Sequence, residues 1–366
     1  MLPVEHNDPI NAKILAVSED KIQGFVREPF EEIANRSGVG VEVVMTRIAA
    51  MLRAGTIRRV RQTLLATNLA EGALVAWKVP EEKIDAAFDW MFQRDPFSGH
   101  VVLRSTETVS AGSDYKLWTT VKAPQGFSLQ AHCELLAEKV GAERFRLMPA
   151  KGIFTLGVGH VWRKTIEPGS KADQPAKMMP VQLVVLNEHE WDVLLALKRE
   201  FTPEEVKPSP WVSRASEAGV SLEEFCRVAE DMNARKIVGR FSTFLEHVKP
   251  SVGGVRVTRF NALFHWAVPA GREIETGGEV CRHHILTHCY WREAGSEFRN
   301  VNIMAVAHGT DKRLLLEHKA AIDQHLRASD IPVSYTNVFW GGRSEIKPSE
   351  ISPRVYREWL SEQGKN

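Results

Sequence analysis

Ala76-Trp77-Lys78-Val79-Pro80, followed by His100 and Arg104, returns later in the chain as His265-Trp266-Ala267-Val268-Pro269, followed by His288 and Arg292. From Trp to His is 23 residues in the first copy and 22 in the second. Upstream, Ala54-Gly55-Thr56-Ile57-Arg58-Arg59 aligns with Ala234-Arg235-Lys236-Ile237-Val238-Gly239, and Pro29-Phe30 aligns with Pro210-Trp211. A repeat this long signals duplicated domains, not a solenoid of short units. Two related halves on one chain make a pseudo-dimer, in which one site can be kept while the other drifts.

Each half reads in two parts. In residues 8–67, Ile10, Ile14 and Leu15 have helical spacing, and Pro29 opens a second helix at a favourable first position. Val44, Ile48, Met51 and Leu52 line one side of a third helix over Val41–Arg53, and Ile57–Ala66 reads as β-ribbon. This is the order of a winged helix-turn-helix. In residues 72–160, strands are expected at Ala73–Trp77, Val101–Arg104, Lys116–Val121 and Ile153–Val158. Helices are expected after Pro80 and over Ser128–Val140. The order βαββαβ is ferredoxin-like. The second copy starts at Glu188, and a short helix over Pro353–Glu362 has no counterpart in the first half. The expected fold class is therefore α+β, a tandem duplication of a winged helix-turn-helix plus a ferredoxin-like domain. The boundaries are 1–68 and 69–163, a polar Pro/Gly/Ser linker at 164–187, then 188–250 and 251–366 with a helical tail. The two βαββαβ units are expected to pack together as paired sheets.

The chain has 366 residues, of which 43% are hydrophobic and 25% charged, an ordinary globular balance. Its net charge of +1 argues against a general polyanion binder. No apolar run reaches the roughly 18 residues of a membrane span, and Met1-Leu2-Pro3-Val4-Glu5-His6 lacks the pattern of a signal peptide. The four cysteines, Cys133, Cys226, Cys281 and Cys289, are irregularly spaced and fit a reducing cytosol. A cytoplasmic protein without a membrane partner is expected.

The densest chemistry lies in Thr287-His288-Cys289-Tyr290-Trp291-Arg292. On a strand, alternation puts His288, Tyr290 and Arg292 on one face and Cys289 and Trp291 on the other. A proton donor, a phenol and a fixed cation suit an anionic substrate that must gain a proton. The competing reading is a polar sheet face paired with neighbouring carboxylates. His265, His283, His284 and His308 lie nearby, but Cys281-x-His283-His284 fits zinc spacing poorly, and no dedicated metal site is expected. Arg53, Arg58, Arg59 and Arg61 form a basic cluster, read as a phosphate-contacting wing, a clamp for carboxylates or a solvated face. The matching helix of the second half, with Glu223, Glu224, Glu230 and Asp231, is acidic and argues against specific duplex DNA.

A winged helix followed by βαββαβ is the plan of the Lrp/AsnC regulators. Within that plan, Arg240-Phe241-Ser242 with Leu245 and His247, His288-Cys289-Tyr290-x-Arg292, and Asn302-Ile303-Met304 running to His308-Gly309 resemble the siroheme decarboxylases. Leu186-Asn187-Glu188, Ile57-Arg58-Arg59, Val79-Pro80-Glu81-Glu82 and Tyr115-Lys116-Leu117-Trp118 also fit. The resemblance implies removal of acetate carboxyl groups from siroheme, leaving methyls, in haem b or haem d1 synthesis. It implies two fused subunits, siroheme or a related tetrapyrrole as the partner, and no added cofactor, since the macrocycle is the electron sink. His288, Tyr290, Arg292 and His247 would be catalytic. Arg240, Asn302, His308, Arg58, Arg59, His100, Arg104 and Tyr115 would bind substrate. The first half departs from the pattern, with Val102 where the second has Tyr290, so the second half is expected to be the active one. A further homodimer is possible. The competing readings are a ligand-sensing regulator and a non-catalytic tetrapyrrole carrier.

Overall fold

The computed structural model describes residues 2–157, 159–246, 249–250, 253–255 and 257–364. The first half runs α1 (Pro9–Ser18), β1 (Ile22–Gln23), α2 (Pro29–Ser37), α3 (Val41–Arg53) and β2 (Ile57–Leu64). It continues with β3 (Ala70–Lys78), α4 (Ile84–Gln93), β4 (Ser98–Ser105), β5 (Leu117–Pro124), α5 (Leu129–Val140) and β6 (Arg144–Leu156). A short α6 (His160–Arg163) and β7 (Met179–Pro180) lead to the second half. That half runs α7 (Glu188–Lys198), α8 (Trp211–Glu217), α9 (Leu222–Ala234) and β8 (Val238–Leu245). It ends with β9 (Phe260–Ala267), α10 (Glu273–Val280), β10 (Leu286–Arg292), β11 (Ile303–Gly309), α11 (Lys312–Ala328), β12 (Tyr335–Ile346) and α12 (Pro353–Glu362).

The chain divides into two compact units, and like joins like. One unit gathers Met1–Asn68, Gly157–Thr165 and Val184–Arg259, the helical parts of both halves. Its helices form where the sequence pattern puts them. Pro29 sits in the first turn of α2, and Gly38, at φ 69°, ends it in a left-handed cap. The α3 face of Val44, Met45, Ile48, Ala49 and Met51 is buried. In the second copy Asn187 and Glu190 form a reciprocal capping box at the start of α7. The strand after each third helix pairs with its counterpart, β2 with β8, and β1 extends that sheet on the far side of β8. Phe30, Phe201, Trp211 and Phe241 pack edge to face beneath it.

The other unit gathers Leu69–Leu156, Ile166–Leu183 and Phe260–Asn366. Each half contributes βαββαβ, giving the chain a mixed α+β fold, and its four strands lie in the order fourth, first, third, second. Such a sheet leaves its second and fourth strands as unpaired edges. Here the edges find each other: β12 pairs with β4 and β10 pairs with β6, both antiparallel. The sheets are therefore not stacked as two layers; they join edge to edge into a closed eight-stranded barrel. Closure satisfies the edge N–H and C=O groups that stacking would leave open. It also explains the length of β6, which begins at Arg144, nine residues before the expected Ile153. Its first part pairs with β3 and its second with β10.

Two apolar layers cover the barrel outside. Trp77, Phe88, Met91, Leu117 and Leu136 pack under the first-half helices. Phe264, Trp266, Cys289, Ala305 and Ile322 pack under those of the second. Tail helix α12 folds over the first layer, where Tyr356 and Trp359 pack edge to face around Phe97. Part of the polar stretch read as linker lies along α10: Ala172 N donates to Arg282 O, His284 N to Ser170 O and Ala176 N to Gly278 O.

Candidate active site

A third cluster lines the inside of the barrel. Ala76, Val102, Trp118, Met148, Leu263, Met304 and Phe339 face inward from seven strands. Strand β10 lends its alternate residues to the same interior. Cys289 is buried in the outer layer, whereas Tyr290 stands opposite Met304 and His288 opposite Val306 on β11. Opposed residues of an antiparallel pair share a face, so His288, Tyr290 and Arg292 point inward together. The His288 and Tyr290 rings stack with centroids 6.3 Å apart, and the Arg292 guanidinium lies 4.3 Å over the Tyr290 ring. Arg292 also donates to the Met148 carbonyl, and burial pushes its guanidinium below the ordinary arginine range.

The opposing wall comes from the first half. His100, Val102 and Arg104 alternate inward on β4, and Thr120 and Lys122 follow Trp118 on β5. His100 Nε2 lies 2.8 Å from Ser344 Oγ across the β4–β12 seam. Arg104 donates through Nη1 to Asn261 Oδ1 at 3.1 Å and to Phe339 O at 3.4 Å. Lys122 lies across Gly72, where a Cβ would stand 2.9 Å from its Nζ. Burial and the Arg292 charge push Lys122 down to about 8, and burial pushes Arg104 down to about 10. Among the described residues, no carboxylate pairs with Arg104, Lys122 or Arg292. Buried cations without counter-charge are expensive, and here three share one interior.

The interior is graded. Trp118, Phe298, Phe339 and His265 are fully or nearly fully buried, while His100, Thr120, Lys122, His288, Tyr290 and His308 are half-buried. His265 sits among Phe339, Trp118 and Phe298, with no hydrogen-bond partner among the described residues on either ring nitrogen. Burial, then the charges of Arg104 and Lys319, push it down to about 3. It is a neutral ring in an aromatic floor.

The residues picked from the sequence do not all meet. His308 joins the set: its Nε2 is 3.0 Å from Asn261 Nδ2 and its Nδ1 is 3.3 Å from Thr287 Oγ1. Asn302 does not, because its amide clamps Val268 N and O at 2.9 Å each and reaches Glu273. It is a joint of the sheet. Tyr115 packs beside Phe298 and donates to Glu297 at 2.7 Å, where burial and that carboxylate raise the phenol. Arg58, Arg59 and Arg240 belong to the other unit. There Arg59 pairs with Glu200 at 2.8 Å, and Arg240 donates to Glu19 O at 3.3 Å. His247 lies outside the described residues.

Lys122, Asn261, Thr287 and His265 escaped selection as site residues. The repeat itself offered a signal for His265, which stands where the first copy has Ala76. Lys122 and Asn261 carry no motif; only strand register places them inward.

Comparison with known proteins agrees with this architecture. The AsnC-like ligand binding domain matches residues 69–155 and 258–337, the two βαββαβ regions. A siroheme decarboxylase of Hydrogenobacter thermophilus is 24% identical over 299 residues, spanning 81% of this chain and 82% of that protein. A siroheme decarboxylase NirDL subunit of Paracoccus pantotrophus is 24% identical over 306 residues, spanning 81% and 86%. The crystal structure of a siroheme decarboxylase NirDL superposes with a TM-score of 0.65 at 20% identity, covering 96% of this chain and 99% of that one. A NirDL structure in co-complex with an iron-uroporphyrin III analogue gives 0.65 at 19% identity, covering 97% and 99%. The chain carries an AsnC-like ligand-binding domain in each half and belongs to the siroheme decarboxylase family.

Proposed function

We propose that this chain is a carboxy-lyase that removes acetate carboxyl groups from siroheme inside the barrel, giving didecarboxysiroheme for haem b or haem d1 synthesis. The observation that carries the reading is the set of inward cations, Arg104, Lys122 and Arg292, with no carboxylate among the described residues to pair with. A tetrapyrrole bearing many carboxylates supplies the missing charge, and guanidinium groups suit two-point contact with carboxylates. The aromatic floor suits the macrocycle's flat apolar face. The complex of a NirDL relative with an iron-uroporphyrin III analogue supports the same ligand class.

Loss of carbon dioxide breaks the bond between the acetate methylene and its carboxyl carbon. The bonding pair passes into the conjugated ring, and one proton added at the methylene completes the methyl group. Arg292 and Arg104 hold carboxylates in place. His288, with Tyr290 stacked beside it, gives the proton. No cofactor beyond the substrate's own macrocycle is needed. His100 and Lys122 line the other wall, where Val102 stands at the position that Tyr290 holds beside His288.

In the helical unit, the two three-helix and strand modules are winged helices turned to pairing with each other, so the chain is a fused pair of subunits. That unit does not read duplex DNA. The helix that would face DNA, α9, carries Glu223, Glu224, Glu230 and Asp231, and Arg27 holds Glu223 and Glu230 at 2.8 and 2.7 Å. Among the described residues no helix is long and apolar enough to cross a membrane.

The test is anaerobic incubation with siroheme, followed by mass analysis. Each carboxyl lost lowers the tetrapyrrole by about 44 Da, with the methyl completed by proton transfer. Unchanged mass with tight binding would establish a carrier instead. A salt-sensitive gel shift on one promoter sequence would establish a regulator.

A further inference from the structure

A single hydrogen-bonded chain links the two walls of the barrel. It runs from Arg104 to Asn261 Oδ1 at 3.1 Å, then from Asn261 Nδ2 to His308 Nε2 at 3.0 Å. His308 Nδ1 is 3.3 Å from Thr287 Oγ1, and Thr287 Oγ1 is 3.1 Å from His288 Nδ1. The pairing of β10 with β11 shifts register between Leu286 and His288. This irregularity lets buried Thr287 reach the Val306 carbonyl, to which its hydroxyl donates at 3.1 Å.

Donor and acceptor chemistry fixes the direction of every proton in this chain. A guanidinium only donates, so the Asn261 oxygen must face Arg104 and its NH2 must face His308. His308 Nε2 must then accept, so the ring is neutral and carries its proton on Nδ1. That proton goes to the Thr287 oxygen. A carbonyl only accepts, so the Thr287 hydrogen goes to Val306. A hydroxyl oxygen has two acceptor sites, and the second takes a hydrogen from His288 Nδ1.

We propose that Arg104, Asn261, His308 and Thr287 form a positioning chain that holds the His288 proton on Nδ1 and leaves Nε2 as the atom that exchanges protons with the ligand. Arg104, from the first half, thereby sets the tautomer of a histidine in the second. The arrangement deepens the decarboxylase reading and rests on it for its use. The Nδ1 hydrogen bond to Thr287 is the same whether His288 is charged or neutral, so giving up the Nε2 proton requires no rearrangement behind the ring.

The tautomers can be read without substrate. Protein labelled with nitrogen-15 in its histidine rings is examined by long-range proton–nitrogen correlation, with His288→Gln and His308→Gln identifying the signals. The expected result is protonated Nδ1 in both rings and bare Nε2 in His308. Asn261→Asp keeps an acceptor for Arg104 but removes the donor to His308, so the His308 proton should appear on Nε2. Bare Nδ1 in either wild-type ring, or His308 signals unmoved in a folded Asn261→Asp protein, would overturn the proposal. With siroheme, Thr287→Val should lower kcat roughly 10- to 100-fold with little change in binding, and Thr287→Ser should restore most of the loss. Equal rates for the two Thr287 variants would also overturn it. Tautomers as expected in a protein that leaves siroheme unchanged would sink the decarboxylase reading and leave the chain standing.

Discussion

Lys122 gives the sharpest separation of function from folding. It is half-buried on an inward strand position, with Arg292 as its charged neighbour and no described carboxylate beside it. Burial first, then Arg292, lower it from 10.5 to about 8. At about 1.4 kcal/mol per tenfold, keeping the charge inside the folded protein costs about 3 kcal/mol at pH 7. The sign follows from proton counting. Between about pH 8 and 10.5 the unfolded chain binds a proton that the folded protein has released, so stability rises with pH across that window. Below pH 8 both states are protonated and the full penalty stands. Lys122→Met keeps much of the stem's bulk and removes the charge. It should therefore raise unfolding free energy at pH 7 by up to about 3 kcal/mol and abolish the rise between pH 8 and 10.5. At the same time it should weaken siroheme binding by about 2–5 kcal/mol, the usual loss when a buried charge pair is cut. Urea unfolding at pH 7 and pH 10, with anaerobic absorbance titration of siroheme, measures both. A variant that is less stable at pH 7, or that binds siroheme as tightly as the wild type, would refute the argument that Lys122 is held charged for a ligand.

Three further outcomes follow from the same geometry. Arg292→Lys cannot keep the two-point carboxylate contact or the stacking on Tyr290, and should lower kcat/KM by roughly 100-fold in single-turnover decarboxylation; wild-type turnover would show that Arg292 holds no carboxylate. Asn302→Ala leaves Val268 N and O unpaired and should cost about 2–4 kcal/mol by urea unfolding, while activity per folded molecule is unchanged; a selective loss of activity would return Asn302 to the substrate site. Buried Glu19 is raised to about 8, so its share of stability is present at acid pH and is lost as pH rises from the ordinary glutamate value toward 8. Glu19→Gln, which imitates the protonated acid, should flatten that decline and exceed the wild type in thermal stability at pH 8.5; an unchanged decline would place the titrating group elsewhere.

The sequence carried its clearest information where chemistry repeats along one strand. The spacing of His288, Tyr290 and Arg292 gives their common face by alternation alone, and the structure puts all three inside the barrel. The two tryptophans of the repeat mark equivalent outer positions, Trp77 bonding Thr119 and Trp266 bonding Asp323. Barrel closure was not legible, because a strand edge looks the same whether it meets solvent, a stacked layer or the other half. Without closure the two copies read as separate sites, one intact and one degraded by Val102. Lys122 and Asn261 were hidden for a related reason. Each is a single polar residue in an apolar strand, and its meaning depends on what faces it across the barrel. Asn302 misled because a motif residue can be kept for the backbone it clamps as well as for a ligand it touches.

The seams β4–β12 and β6–β10 have one more consequence. They relate the halves by a half-turn about the barrel axis, so a planar guest meets two walls that are topologically equal and chemically unlike. Tyr290 answers Val102, His308 answers Lys122 and Asn261 answers Gly72. In a barrel made from two copies of one gene product these positions would be forced to match. Fusion frees each from its twin, so rotating the guest by 180° presents it with a different set of side chains. Regiochemical order, which edge of a macrocycle reacts first, can thus be written into a single interior without a second active centre.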